Sequence, residues 1–506
     1  MERLSPKLKT MDKKRNAPIN IKSDEFRELG HELVDSIADF LDTISANPVT
    51  TGKSPSEIRE IIGEDDLPEE GETPSAIIQK AQNLLIRDSL FNGHPKFLGY
   101  ITSSPAPLGM LGDFLAAAVN QNMGAQILSP VSTEIEKQTV KWLSQLVGVG
   151  SSWGGLLVSG GNMANFTAFL AGRRAKIPDE LIENGLQGLD STYITYCAKS
   201  THTWIEKAVT LFGQGKKSLR WIDADKSNKM DLNALRSQIT QDKKEGYIPI
   251  MAIGTAGDVS TGAVDDLRAI SDICKEFNLW FHVDGAYGAP AAVLPELKST
   301  FSGLEEADSI ALDPHKWLYS PLEAGCTLIR NPIHLVNTFS SRPEYYNFGI
   351  NAESSVNFYE YGLQNSRGFR ALKVWMTLQQ VGRKGYAQMI KKDIELAQYL
   401  YDHCTSENEL LPMSCNLSIT TFRYVPSGFK ENLAEHKTFL NELNEALVNN
   451  IQQDGDLFVS NALVDGYYCM RACIVNFRTS NQDIDEIVAS ILIQAKRILE
   501  QNDSRK

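Results

Sequence analysis

"LWFHVDGAYGA", residues 279–289, decides the fold. A short unbroken apolar run ends in Asp284 and passes into small residues. Consecutive apolar positions suit a strand covered on both faces, as in a parallel sheet. In open α/β sheets, ligands bind outside the carboxyl ends of the strands, which is where Asp284 falls. The same Asp is also a good cap for a following helix, so alone it does not name a site. Runs of the same texture recur outward from it: "GLLVSG", "TYITYC", "IPIMAIG", "SIALD" and "CTLIR". They alternate with helical stretches between about residues 107 and 335, which predicts a mainly parallel sheet with helices on both faces.

Two further segments of this region carry chemistry. In "ALDPHKWLYSP", residues 311–321, Lys316 lies between His315 and Trp317, just after an apolar run. Burying an uncompensated ammonium is expensive, so such a lysine either points to solvent or is held for its reactivity. A desolvated lysine amine can attack a carbonyl carbon and form a Schiff base. In "LLVSGGNMANFTAFLAGR", residues 156–173, a strand, a glycine turn and a helix follow one another. Gly160 and Gly161 permit close backbone approach, and the first helical N–H groups form a cradle for a phosphate. Asn162 and Asn165 add side-chain donors. His202, in "YCAKSTHTWIEKA", follows another strand and is placed to stack on a planar ring. The same segment is not HExxH and offers no metal-ligand partner, so no metal site is expected. "VGVGSSWGG" has the wrong spacing for a dinucleotide fingerprint and follows a helical run.

Around this core, residues 1–22 read as a mobile arm. Residues 23–106 read as a helical segment, with Ser23 expected to cap its first helix and Thr73-Pro74 to open another. Residues 107–385 form the large domain. Residues 386–506 form a small α+β domain containing "SITTFRYV", "YCMRACIVNF" and a last amphipathic helix. The chain is 42% hydrophobic and 22% charged with a net charge of −13, which argues against nucleic acid or an anionic membrane as partner. No apolar run is long enough to span a bilayer, and the basic N-terminus lacks an apolar signal core, so a cytoplasmic location is expected. The seven cysteines are scattered without CxxC spacing and read as reduced structural thiols.

An amine, a carboxylate and an anion cradle in one α/β domain are the parts that pyridoxal 5'-phosphate needs. Here the chain resembles a family. "HVDGAYGA", "DPHKW", "SGGNMAN", "HPKFLGY", "SPVSTEIE" and "MRACIVNFRTSNQDID" are similar to the group II pyridoxal-phosphate decarboxylases, which include the aromatic-amino-acid, histidine and glutamate decarboxylases. The resemblance implies a pyridoxal-phosphate transferase fold of type I, with a seven-stranded sheet. It also implies a homodimer with composite active sites, the early helices packing on the partner subunit.

It further implies roles. Lys316 would be the Schiff-base lysine, and His315 would contact cofactor or substrate. Asp284 would pair with the pyridinium nitrogen, Ala286 would pack under the ring and His202 over it. Gly161 and Asn162 would bind the phosphate, with Thr255 nearby. Asp313 stands where animal aromatic decarboxylases have Asn. Tyr345 matches the tyrosine of the family's mobile catalytic loop. Tyr100, Ile101 and Thr102 match the substrate-lining segment, with Asn122 near the interface. Ser366 matches a position that is Ser in phenol-selective plant relatives and Gly in indole-selective ones. The expected activity is decarboxylation of an L-amino acid to amine and CO2, with tyrosine or dihydroxyphenylalanine favoured over tryptophan or phenylalanine. An aldehyde synthase, whose sign is Phe at the Tyr345 position, is the close rival. A decarboxylase for acidic or basic amino acids is another, and a cofactor-free interaction protein the remotest.

Overall fold

The computed structural model describes residues 17–186, 191–341 and 355–503. The chain divides into two units, residues 1–90 and 91–506. In the first, helices span Ser23–Thr43, Pro55–Ile62 and Pro74–Asp88. Thr73 caps the third helix, its hydroxyl accepting from Ala76 N at 3.4 Å, with Pro74 in the first turn. Ser23 is not a cap. It is the first helical residue, and Lys22 flanks it in an extended conformation without a side-chain bond.

Among its described residues the second unit holds twelve strands: β1 Phe97–Leu98, β2 Gly154–Val158, β3 Tyr193–Ala198, β4 Leu219–Ile222, β5 Ile248–Thr255, β6 Trp280–Asp284, β7 Ser309–Leu312, β8 Gly325–Ile329, β9 Leu410–Asn416, β10 Ile419–Tyr424, β11 Phe458–Val464 and β12 Tyr467–Cys473. Seven make one sheet in the order β2-β8-β7-β6-β5-β3-β4. Only β8 runs against its neighbours. The other five make a mixed sheet, β1-β11-β12-β10-β9. β1 joins it in parallel with β11, more than three hundred residues away in sequence.

The large sheet is α/β and mostly parallel, as the sequence predicts. Its central strands are mainly apolar because both faces are covered: β3, β6, β7 and β8 are buried at every position. β4 lies at the sheet edge, and its Trp221 is exposed. Helix Gly161–Lys176 packs on the sheet against β6, β7 and β8. Parallel strands share a carboxyl end. Val158, Ala198, Thr255, Asp284 and Leu312 therefore finish together, and the loops after them meet on one side.

Helix Ala371–Ser406 bends at Gly382, whose φ of +63° is a conformation that only glycine adopts cheaply. Its Asp393 holds the loop after β7. Trp317 Nε1 donates to Asp393 Oδ2 at 2.8 Å, and the Tyr319 hydroxyl donates to the same oxygen. Tyr386, on the same helix, donates to the Leu318 carbonyl at 3.2 Å. Tyr319 itself sits at φ +55°. The cysteines are all free thiols, buried except for the half-buried Cys415.

Candidate active site

The loops at the strand ends enclose a cavity of about 380 Å³. Lys316, His315, Asp313, Asp284, Ala286, His202, Thr255, Gly161 and Asn162 all line it, together with Ile101. Residues from 101 to 316 are thus brought to one place by the shared strand polarity.

Lys316 Nζ lies 3.1 Å from Asp313 Oδ2. Its loop is closed by Lys316 N to Asp313 O and Tyr319 N to Lys316 O, and fixed from behind by Asp393. His315 Nδ1 accepts from Ala324 N at 3.0 Å, so its neutral tautomer carries the proton on Nε2, 3.7 Å from Asp313 Oδ2. Burial lowers the His315 pKa, against the opposing pull of Asp313, and favours that neutral form. Ser103 donates to the His315 carbonyl at 2.9 Å.

Asp284 is buried at the end of β6 and accepts from Trp204 Nε1 at 2.7 Å and from Ala286 N at 3.3 Å. His202 stands exposed at the cavity, its Nδ1 accepting from Trp204 N at 3.3 Å. Partial loss of solvent lowers its pKa, and the Asp284 carboxylate pulls the other way. Thr255 is fixed by its backbone N–H, which donates to buried Asp265 at 2.8 Å. Burial raises the Asp265 carboxyl to about 6.

At the other end, the helix Gly161–Lys176 presents its N-terminus. A Cβ at Gly161 would come 2.6 Å from Asp313 Oδ2 and 3.4 Å from Ala286 Cβ, so glycine is required for this approach. Asp313 Oδ1 is buried without a partner. Asn165, expected to face a phosphate, instead directs its Oδ1 to His282 Nε2 at 2.7 Å. That histidine is fully buried, and burial holds its pKa down to about 4.

The substrate candidates are less gathered. Ile101 lines the cavity. Tyr100 is exposed at φ +49°, its N–H donating to Ser460 Oγ. Thr102 is half-buried. Asn122 and Ser366 are exposed and joined at 3.4 Å, and they are not among the cavity's lining residues. Behind them Arg367 and Glu136 form a buried ion pair at 2.5 Å, with Arg367 also donating to Leu157 O and Met123 O. Tyr345 lies outside the described residues.

Sequence reading missed Trp204 and Asp393. A tryptophan two residues after His202 was a visible signal for the first. Nothing local marks the second.

The family model for the pyridoxal-dependent decarboxylase conserved domain matches residues 55–425. The chain belongs to that family. It is 33% identical over 482 residues to an aromatic-L-amino-acid decarboxylase of Bacillus atrophaeus, covering 95% of this chain and 97% of the relative. It is 28% identical over 467 residues to a phenylacetaldehyde synthase of Petunia hybrida, covering 89% and 90%. The fold superposes on Oryza sativa TDC, solved with PLP and tryptamine, with a TM-score of 0.87 at 23% identity, covering 96% of this chain and all of that one. The chain is a carboxy-lyase of the pyridoxal-phosphate class. Its cavity fits that cofactor: an amine, a buried carboxylate and a glycine-gated helix N-terminus lie around one space. Among the described residues no three His, Cys, Asp or Glu could hold a metal, and no helix is long and apolar enough to cross a membrane.

Proposed function

We propose that this enzyme decarboxylates an aromatic L-amino acid, with tyrosine or dihydroxyphenylalanine as the preferred substrate, in the cytoplasm. The observation that carries the reading is the meeting of Lys316, Asp284 and His202 in one cavity. The aromatic preference is supported by the relative named for aromatic amino acids and by Ser366.

When bound, pyridoxal phosphate supplies a sink for the electron pair of the broken Cα–carboxylate bond. Lys316 Nζ would hold the cofactor at its aldehyde carbon. One Asp284 oxygen would accept from the ring nitrogen and keep its proton there. Ala286 and His202 would lie on either side of the ring, the small residue at 286 leaving room for it. Gly161 and Asn162 would hold the phosphate. Neutral His202 and His315 offer Nε2–H groups to a substrate carboxylate without adding a full charge. Tyr345, outside the described residues, is the proposed proton donor to Cα after CO2 leaves.

The proposed assembly is a homodimer. Leu111, Phe114, Leu115 and Val119 on helix Pro107–Val119 are each about half exposed, an apolar face suited to a second copy.

The test is product analysis with a panel of L-amino acids in air and under nitrogen. Amine and CO2 in equal amounts from tyrosine or dihydroxyphenylalanine support the reading. Aldehyde, ammonia and peroxide formed only in air would assign the chain to the aldehyde synthases instead. Turnover confined to acidic or basic amino acids would refute the aromatic assignment.

A further inference from the structure

Trp204 is fully buried, and its indole N–H can only donate. Its acceptor is Asp284 Oδ2, at 2.7 Å. The ring cannot drift from this position. It meets the imidazole of His282 edge to face, with centroids 5.7 Å apart at 87°. His282 is in turn held at both nitrogens, by Asn165 Oδ1 at 2.7 Å and Ser309 Oγ at 2.9 Å. Trp280 Nε1 donates to the same Ser309 oxygen at 2.9 Å. The directions follow from the donor inventory. Ser309 accepts from Trp280 and gives its one proton to His282 Nδ1, so His282 Nε2–H donates to Asn165. The indole and imidazole nitrogens of this wall thus all have set partners, and the partner of the Trp204 nitrogen is the Asp284 carboxylate.

The two Asp284 oxygens are therefore unequal. Oδ2 receives a short charge-assisted bond, whereas Oδ1 has only the 3.3 Å contact from Ala286 N. We propose that Trp204 is a positioning residue that fixes the plane of the Asp284 carboxylate through Oδ2 and leaves Oδ1 for the ring nitrogen of the cofactor. The inference rests on the assignment of Asp284 to that nitrogen. Without the indole N–H, the carboxylate can rotate about Cβ–Cγ and must be re-ordered against the ring. Remote contacts to the substrate are untouched, so the loss falls on cofactor retention and kcat rather than on KM.

The test replaces Trp204 by Phe and, by site-specific incorporation, by benzothienylalanine, which keeps the bicyclic shape but lacks the N–H. Cofactor release from the holoenzyme is followed by absorbance after dilution, beside kcat, KM and apoenzyme melting. Both replacements are expected to speed release and lower kcat by roughly 3- to 10-fold, with KM within about 2-fold. Fluorotryptophan at the same position keeps the N–H and is expected to restore wild-type release. A benzothienylalanine enzyme with wild-type release and kcat would overturn the inference, as would one whose apoenzyme melts well below wild type. Asp284→Asn is measured in parallel. If it changes neither release nor kcat, the assignment of Asp284 itself fails. If it changes them and benzothienylalanine does not, only the role of Trp204 fails.

Discussion

The two sides of the active site are built differently. The proposed cofactor side is assembled from strand ends, and its carboxylates are enclosed: Asp284 is 7% exposed and Asp313 1%. Asp284 is held by Trp204, and the Lys316 loop by Asp393. On the proposed substrate side, Tyr100 is 60% exposed, and Asn122 and Ser366 face solvent joined to each other, Asn122 otherwise accepting from the backbone N–H groups of Gly124 and Arg367. On the proposed roles, one chain finishes the chemistry but leaves the selectivity open. A second copy, as proposed above, is what would close it. The contrast also explains why relatives at similar identity carry the names of a decarboxylase and of an aldehyde synthase. Overall likeness is dominated by the scaffold, whereas the outcome depends on a few residues at its edge.

The sharpest way to break this division is at Lys316. Lys316→Ala should abolish covalent retention of the cofactor after borohydride treatment and reduce turnover by about a thousandfold or more. A variant that still holds cofactor covalently would move the reactive amine elsewhere. Next in size is Asp284→Asn. Losing a charge-assisted bond worth about 1.5–3 kcal/mol should cost roughly 10- to 150-fold in kcat. Near-normal kcat in the fully loaded variant would separate Asp284 from the electron sink.

On the substrate side the effects should be smaller and selective. Ser366→Gly should shift the ratio of kcat/KM for tyrosine over tryptophan by roughly 3- to 30-fold toward tryptophan, about 1–2 kcal/mol, with cofactor content unchanged. Equal changes for both substrates would remove Ser366 from the selectivity side.

The smallest expected effect concerns the clamp behind Lys316. Burial raises the Asp393 carboxyl to about 7, against the opposing bonds from Tyr319 and Trp317. Between its ordinary value of 3.8 and about 7, the folded chain keeps a proton that the unfolded chain has released. Stability from this group therefore falls as pH rises through that window and is level outside it. The melting gap between wild type and Asp393→Asn should narrow by about 3 °C from about pH 5 to about pH 8. A gap that stays constant would mean that the buried carboxyl is charged throughout.

The same division governs what the sequence reveals. The strands β2, β3, β5, β6, β7 and β8 announce themselves because covered strands are continuously apolar. β4 does not, since "LRWI" at the sheet edge mixes Arg220 and Trp221 into four residues. β1 is two residues long and exists only through β11. In the site, Lys316, Asp284 and Gly161 are legible because a strand end, a glycine turn and a lysine out of place each have a local physical reason. Trp204 and Asp393 act across 80 and 76 residues, and no periodicity records such pairings. Asn165 has the right type for a phosphate donor, but a buried histidine below it lacked an acceptor, and that need decides its direction. Ser23 has the right type for a cap, yet the helix includes it.

The clamp on the lysine loop also sets an order of events during synthesis. Trp317 leaves the ribosome 76 residues before Asp393, the residue that fixes it. At roughly 5–20 residues per second, that is a delay of about 4–15 seconds. Through that interval the nascent chain already carries every motif by which its family is recognised in the large domain, and Lys316 with them. It does not yet carry the acceptor that holds Trp317 and Tyr319 in place. On the proposed role of Lys316, the apparatus for capturing the cofactor is therefore completed by translation of the chain's last quarter, and a message cut short before codon 393 would yield a protein with that lysine on an unfastened loop.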